Sequence, residues 1–290
     1  MMRATRAVGA GRRPGSGADR VDLESERGSL RGFERITVGR AEILARTESV
    51  PWSRHAVMVY GTLYQAAVHA ADRTLHGRGP VPVLPNPEGP GPQWAIRRYY
   101  RGGLMRPLGD RFLRIGRSRS FVEAEISAKI EELGFTTPRV VAAAVYPSGI
   151  VYRADLVTEF VPHVGTLADV LFGEHDPPRS MKGGDLRREV LTCTAGLIQR
   201  MSRSGIRHRD FNAENILIAR DASGVHAILV DLDRCGVAEP RRPVDAGTLR
   251  RRLARSIRKL ERTRARPGDE GEKPLTHDEM NRLLCGGEGS

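Results

Sequence analysis

Ile206-Arg207-His208-Arg209-Asp210-Phe211-Asn212-Ala213-Glu214-Asn215-Ile216-Leu217-Ile218 sets His-x-Asp, then four spacers and an Asn, directly ahead of an apolar run. A second apolar run, His226 to Val230, ends at Asp231-Leu232-Asp233. Between them Asp221-Ala222-Ser223-Gly224 has the composition of a tight turn. This order predicts a hairpin that brings Asn215 and Asp231 to neighbouring strand ends. Transfer of a phosphoryl group from ATP needs such residues. A loop Asp accepts the proton of an acceptor hydroxyl, while an Asn and a second Asp hold Mg²⁺ against the phosphates. Asp210 is therefore the candidate base, and Asn215 and Asp231 are the candidate metal ligands. Mg²⁺ prefers hard oxygen donors and keeps several waters, so one carboxylate and one amide oxygen suffice. Taken singly, Asp210 and Asn212 could be turn residues and Asn215 a cap or bulge residue. That reading leaves the order of loop, strand, turn, strand and acid unexplained.

At 290 residues the chain can bury one large core or two small ones. It is basic, with 47 Lys and Arg against 35 Asp and Glu, a net charge of +12. The excess is concentrated. Residues 241–266 hold eleven Lys and Arg against Asp245 and Glu261, and residues 97–119 hold eight Arg against Asp110. Such clusters suit an anionic partner, whether nucleic acid, anionic lipid or a phosphorylated sugar; the plain alternative is a solvated helix face. Cys193, Cys235 and Cys285 are scattered and odd in number, so neither a disulfide framework nor a CxxC metal pair is expected. There is no apolar run of about 18 residues to form a membrane span. The N-terminus lacks the apolar segment of a secretory signal. These features predict a protein that is cytosolic or attached to a membrane surface.

Four regions follow from the pattern. Residues 1–30, rich in Gly, Arg and Ser, are expected to be disordered. Residues 31–160 are expected to form a nucleotide-binding lobe, 161–264 a helical catalytic lobe, and 265–290 a loose tail. Residues 77–92, dense in Gly and Pro, suggest a flexible hairpin between two strands. Trp94 to Tyr99 reads as a strand. Ser120 to Leu133 reads as a helix, with Ser120 and Glu123 as a capping box and Gly134 at its C-terminal cap. Val140–Tyr146 and Ile150–Val161 read as strands, and Thr166–Phe172 as a short helix. Asp185–Ser204 and Thr248–Arg264 read as longer helices. The stripe Leu186, Val190, Leu197, Ile198 and Met201 should be the buried face of the first of these. Strands, one helix, more strands and then helices around a catalytic hairpin predict an α+β, two-lobed protein-kinase-like fold. Glu159 to Val164 would cross between the lobes.

A kinase also needs a cation on the α- and β-phosphates and a carboxylate to hold it. Ala95-Ile96-Arg97 occupies the place of a Val-Ala-Ile-Lys strand, with Arg97 as the cation. A guanidinium binds phosphate bidentately and stays charged. Strand alternation puts Arg98 on the opposite face. Glu123 and Glu125 are both candidates for the carboxylate, and the capping box would explain Glu123 without catalysis. Gly77-Arg78-Gly79 is the candidate phosphate-covering loop, though a lone Gly-x-Gly is also a common turn. His208 is expected to pack and order the loop. Only 57 residues follow Asp233 and no Ala-Pro-Glu motif appears, which predicts an acceptor that is a small molecule or lipid head group.

Several segments together resemble one family, the bacterial lipopolysaccharide core kinases, and within it those acting on 3-deoxy-manno-octulosonic acid (Kdo). They are Ile96 to Leu104, Arg119 to Glu123, Gly134 to Val140, Tyr152 to Thr158, His208 to Asn215, Leu229 to Arg234 and Leu253 to Lys259. The resemblance implies ATP-dependent phosphorylation of a Kdo hydroxyl on lipid A-linked core sugar, at the cytoplasmic face of the inner membrane. It also implies Glu123 as the partner of Arg97. A heptose kinase or an aminoglycoside- or choline-type phosphotransferase would share the fold, but the latter use acidic pockets for cationic substrates. A nucleic-acid-binding protein using 241–266 would leave Asp210, Asn215 and Asp231 without a purpose, so no nucleic acid is expected. The expected partners are the acceptor sugar and an anionic membrane surface, and the expected state is a monomer.

Overall fold

The computed structural model describes residues 30–76, 79–100, 109–172, 184–238 and 242–264, together with 276, 281 and 283. The first lobe opens with two strands, β1 (Phe33–Val38) and β2 (Ala41–Arg46), and two helices, α1 (Val50–Tyr60) and α2 (Leu63–Ala70). There follow β3 (Arg73–His76), β4 (Pro80–Leu84), β5 (Trp94–Arg98), β6 (Phe112–Leu113), α3 (Arg119–Glu132), β7 (Val140–Ser148) and β8 (Val151–Glu159). The strands form one antiparallel sheet in the order β1-β2-β7-β8-β5-β4-β3, with β6 paired to β8.

Both faces of this sheet are covered, which explains the unbroken apolar run of β7. Val141, Ala142 and Ala144 pack with Ala56, Val57, Leu63 and Ala67 of α1 and α2. Val140, Ala143 and Val145 pack with Phe121 and Ala124 of α3. A strand buried on both sides loses the polar alternation of a half-exposed one. The α2 face carries a buried polar anchor. Asp155 accepts from the Tyr64 amide at 3.0 Å and faces the Arg98 guanidinium, while the Tyr146 hydroxyl accepts from the Leu63 amide at 2.8 Å. A carboxylate at a helix N-terminus satisfies amides that lack partners within the helix.

The second lobe contains β9 (Gly165–Thr166), α4 (Leu167–Phe172), α5 (Gly184–Arg203), β10 (Ile206–His208), β11 (Ile216–Asp221), β12 (Gly224–Leu229), β13 (Cys235–Val237) and α6 (Ala246–Arg264). Its core joins Leu186, Val190, Leu197, Ile198 and Met201 of α5 to Leu249, Leu253 and Ile257 of α6. The hairpin expected to carry the site is β11–β12, paired from Ile216 opposite Leu229 to Asp221 opposite Gly224. The fold is α+β and two-lobed, of the protein-kinase type.

Two local expectations are corrected. Residues 77–92 are not one flexible hairpin. Pro80–Leu84 is a strand, and its prolines lie where only β3 runs beside it, since β5 pairs with Val83 and Leu84 alone. Proline is tolerated at such an edge because no second ladder needs its missing N–H. Nor does Ser120 cap α3. The cap position is Ser118, and Ser120 lies inside the helix, where its buried hydroxyl donates to the Ala144 carbonyl at 3.3 Å. Gly134 follows the helix with φ 77°, a left-handed conformation suited to glycine. The expected disorder of 1–30 falls outside the described residues except at Leu30, which is partly buried and accepts from the Phe33 amide, and most of the expected loose tail also lies outside them. Leu283, within that tail, is buried in the second core.

Candidate active site

The loop after β10 is built around one carbonyl. Asn212 Nδ2 and Asn215 Nδ2 each donate to the Asp210 oxygen at 2.9 Å. Asn212 Oδ1 also accepts from the amides of Glu214 and Asn215, at 2.9 and 3.1 Å, and so caps the 3₁₀ turn Ala213–Asn215. His208 and Phe211 are buried beneath, their rings edge to face at 5.7 Å. Burial holds the His208 pKa below the usual 6.5, so this ring is neutral and packs. Above them the Asp210 side chain is 44% exposed, with Arg234 Nη1 at 3.5 Å. Helix α6 braces the same loop from behind. Arg252 Nη1 donates to the His208 carbonyl at 2.7 Å, and Ser256 Oγ accepts from the Ala213 amide at 3.2 Å.

Asn215 and Asp231 stand at adjacent strand ends, tied by the Val230 amide donating to the Asn215 carbonyl at 3.2 Å. With its Nδ2 committed to Asp210, Asn215 has its carboxamide oxygen left to offer. Asp231 has φ 60°, the only positive φ at a non-glycine among the described residues. Asp tolerates this region better than most residues, but it still costs on the order of 1 kcal/mol and marks a constrained position. Asp231 Oδ1 accepts from Arg97 Nη1 at 3.1 Å.

Arg97 links the two lobes. Its other terminal nitrogen bonds Glu123 Oε1, which also accepts from the Leu232 amide at 3.2 Å, while Glu123 Oε2 accepts from the Tyr99 hydroxyl. Burial raises the Glu123 pKa, against the pull of the Arg97 guanidinium. Burial alone would lower the Arg97 pKa, but Glu123, Tyr99 and Asp231 outweigh it and keep the guanidinium charged. Glu125, the alternative carboxylate, lies outside this group and pairs with Arg117 at the surface. Arg98 points the other way, to Asp155 and Asp110.

Three residues were not picked out from the sequence. Asp233, nearly buried, pairs with Arg119 in the first turn of α3. The Asp-x-Asp spacing was the available signal. The Arg252 and Ser256 braces left no signal, because both sit in a helix whose charges drew attention to its outer face. Of the two glycines expected to cover the phosphates, Gly77 lies outside the described residues. Gly79 lies at the β3–β4 turn, and a Cβ there would come within 2.7 Å of the Tyr100 ring. Among the described residues no group of three or more His, Cys, Asp and Glu could hold a metal ion. The donor set that remains, an amide oxygen and a carboxylate, fits Mg²⁺.

Residues 88–284 match the family model for the lipopolysaccharide kinase (Kdo/WaaP) family. The chain belongs to that family. Relatives within it include 3-deoxy-D-manno-octulosonic acid kinases from Haemophilus influenzae and Xanthomonas euvesicatoria. The first is 32% identical over 165 residues, covering 55% of this chain and 64% of the relative. The second is 36% identical over 174 residues, covering 59% and 64%. The chain thus spans a little under two-thirds of the length of these two. Similar solved structures include WaaP in complex with acyl carrier protein, 17% identical with a TM-score of 0.44, covering 80% of this chain and 86% of that one. Another is the Rio2 kinase–ADP/Mg²⁺–phosphoaspartate complex from Chaetomium thermophilum, 18% identical with a TM-score of 0.40, covering 88% and 80%.

Proposed function

We propose that this protein is an ATP-dependent kinase that phosphorylates a Kdo hydroxyl of the lipid A-linked inner core of lipopolysaccharide. The observation that carries the reading is the Arg97 bridge. One strand cation meets a helix carboxylate, Glu123, and a hairpin carboxylate, Asp231, beside the Asp210–Asn215 loop. Phosphoryl transfer needs such positioned charges more than it needs covalent chemistry. The acceptor oxygen bonds to the γ-phosphorus as the bond to the β,γ-bridging oxygen breaks, ADP departs, and the hydroxyl proton passes to Asp210. Asn215 and Asp231 hold Mg²⁺, which when bound neutralises charge on the phosphates. Arg97, fixed by Glu123, reaches the α- and β-phosphates, and Gly77 and Gly79 are the residues assigned to cover them.

Inner-core lipopolysaccharide is membrane-bound, and among the described residues no helix is long and apolar enough to cross a membrane. The enzyme meets its acceptor peripherally, at the cytoplasmic face of the inner membrane, through its basic surfaces, and acts as a monomer. A related core sugar such as a heptose is the alternative acceptor within the family.

A transfer assay with MgATP and Kdo–lipid A, a heptosylated core and an aminoglycoside tests this. Asp210→Asn should lower transfer at least about 100-fold while MgATP still binds. Asp231→Asn should instead weaken Mg²⁺-dependent nucleotide binding. Near-normal turnover by Asp210→Asn would falsify the base assignment. Phosphorylation of the aminoglycoside alone would overturn the acceptor.

A further inference from the structure

The candidate base has an arginine beside it that the reaction as described does not use. Arg234 Nη1 lies 3.5 Å from Asp210 Oδ2, and the two side chains are 55% and 44% exposed. An ion pair this open adds little to stability, so stability does not explain a cation at that point. The Arg234 backbone is well placed: its carbonyl accepts from the Arg209 amide at 3.2 Å, next to the β10–β13 pairing of His208 with Cys235. Two more cations share this rim. Along β10 the side chains alternate, Ile206 and His208 inward, Arg207 and then Arg209 outward to solvent. Arg207 and Arg209 have no ion-pair partner among the described residues. The two acids that precede Arg234 are already engaged, Asp231 by Arg97 and Asp233 by Arg119.

We propose that Arg234, supported by Arg207 and Arg209, receives a carboxylate of the acceptor, so that the site selects acidic sugars. This rests on the function proposed above and adds how the acceptor is recognised. A guanidinium has five N–H donors in a planar fork that matches a carboxylate. Contact with Asp210 through Nη1 leaves the rest of the fork to bind a second oxyanion. Arg234 would then touch the base and the acceptor together, setting the sugar hydroxyl at Asp210 by gripping an acid on the same ring. Kdo carries such a carboxylate.

The test compares two acceptors that differ only in this group: Kdo–lipid A and the same molecule with its Kdo carboxylate converted to a primary amide. Wild-type protein should show a KM for the acid about 10- to 100-fold below that for the amide, the range of a charge-assisted hydrogen-bonded pair. Arg234→Ala should raise KM for the acid by a similar factor and leave the amide KM nearly unmoved; Arg234→Lys should restore part of the preference. Melting curves of both variants establish that they are folded. If Arg234→Ala impairs both acceptors equally, the residue only sets Asp210, and the proposal is wrong. It is also overturned if the variant raises KM for MgATP instead, since the oxyanion is then a nucleotide phosphate. If wild type uses acid and amide equally well, carboxylate recognition falls and the kinase reading stands. Transfer to neither sugar, with the aminoglycoside phosphorylated, removes both.

Discussion

Arg97 stands where a lysine would carry a single point charge, and it spans two carboxylates with its two terminal nitrogens. A lysine ammonium cannot reproduce that fork. Arg97→Ala should therefore cut turnover on the order of 100-fold and raise the requirement for ATP, as loss of a preorganised charge does. Arg97→Lys should keep part of the activity; full activity would mean that the fork is unimportant. His208 gives a prediction in pH. Its folded pKa lies below 6.5 because burial disfavours the charged ring, with Arg252 acting in the same direction. The unfolded chain thus takes up the proton first as pH falls. This part of the stability is fully present above pH 6.5 and is lost as pH drops through 6.5 toward the folded value. Urea midpoints at about pH 7.5 and about pH 5 should differ in that sense, and His208→Gln should shrink the difference. At this scale the candidates Asp210, Asn215, Asp231 and Arg97 stand out in the sequence because phosphoryl transfer would restrict residue type and spacing together. Choosing between Glu123 and Glu125 required the packing of α3, since two acids two residues apart look alike until one is buried.

Secondary structure was legible where one periodicity dominated. Helix α5 came within a residue of its observed ends, and the β11–β12 hairpin was marked by its Asp-Ala-Ser-Gly turn. Less was visible in residues 31–76, where β1, β2, α1 and α2 form. Their cores are built from small side chains such as Ala41, Ala45, Ala56 and Ala67, which give a weak apolar rhythm. The start of α3 was misread because Ser120 and Glu123 have capping-box spacing, whereas both side chains bond to other elements. Gly205, after α5, has φ 72°, and a Cβ there would meet the Arg242 carbonyl at 2.8 Å. Gly205→Ala should destabilise the fold by about 1–3 kcal/mol in chemical denaturation. Arg252→Ala removes a brace on the Asp210–Asn215 loop. It should lower stability by about 1–3 kcal/mol, and kcat should fall further than affinity for MgATP. An unchanged kcat would show that the loop holds itself.

Across the whole molecule the basic segments divide by what they touch. In 97–119, Arg97, Arg98 and Arg119 are held by buried or half-buried acids, and Arg117 pairs with Glu125 at the surface. On α6, Arg251 pairs with Asp245, while Arg255, Arg258, Lys259 and Arg262 lie exposed along one side. Among the described residues the longest row of exposed cations in these two segments is the one on α6, and that is the surface we propose for an anionic bilayer. Arg255→Glu with Arg258→Glu should weaken binding to anionic vesicles by about 1 kcal/mol or more per site, and high salt should mimic this. Equal binding by variant and wild type would place the contact elsewhere. The α6 brace also has a consequence for synthesis. The chain is made from its N-terminus, so His208, Asp210 and Asn215 are synthesised before Arg252 and Ser256. During that interval the nascent chain carries every group proposed for the chemistry but not the bonds that fix their loop. Under the proposed function, the loop reaches its braced form only once α6 is made, after the residues of the first lobe.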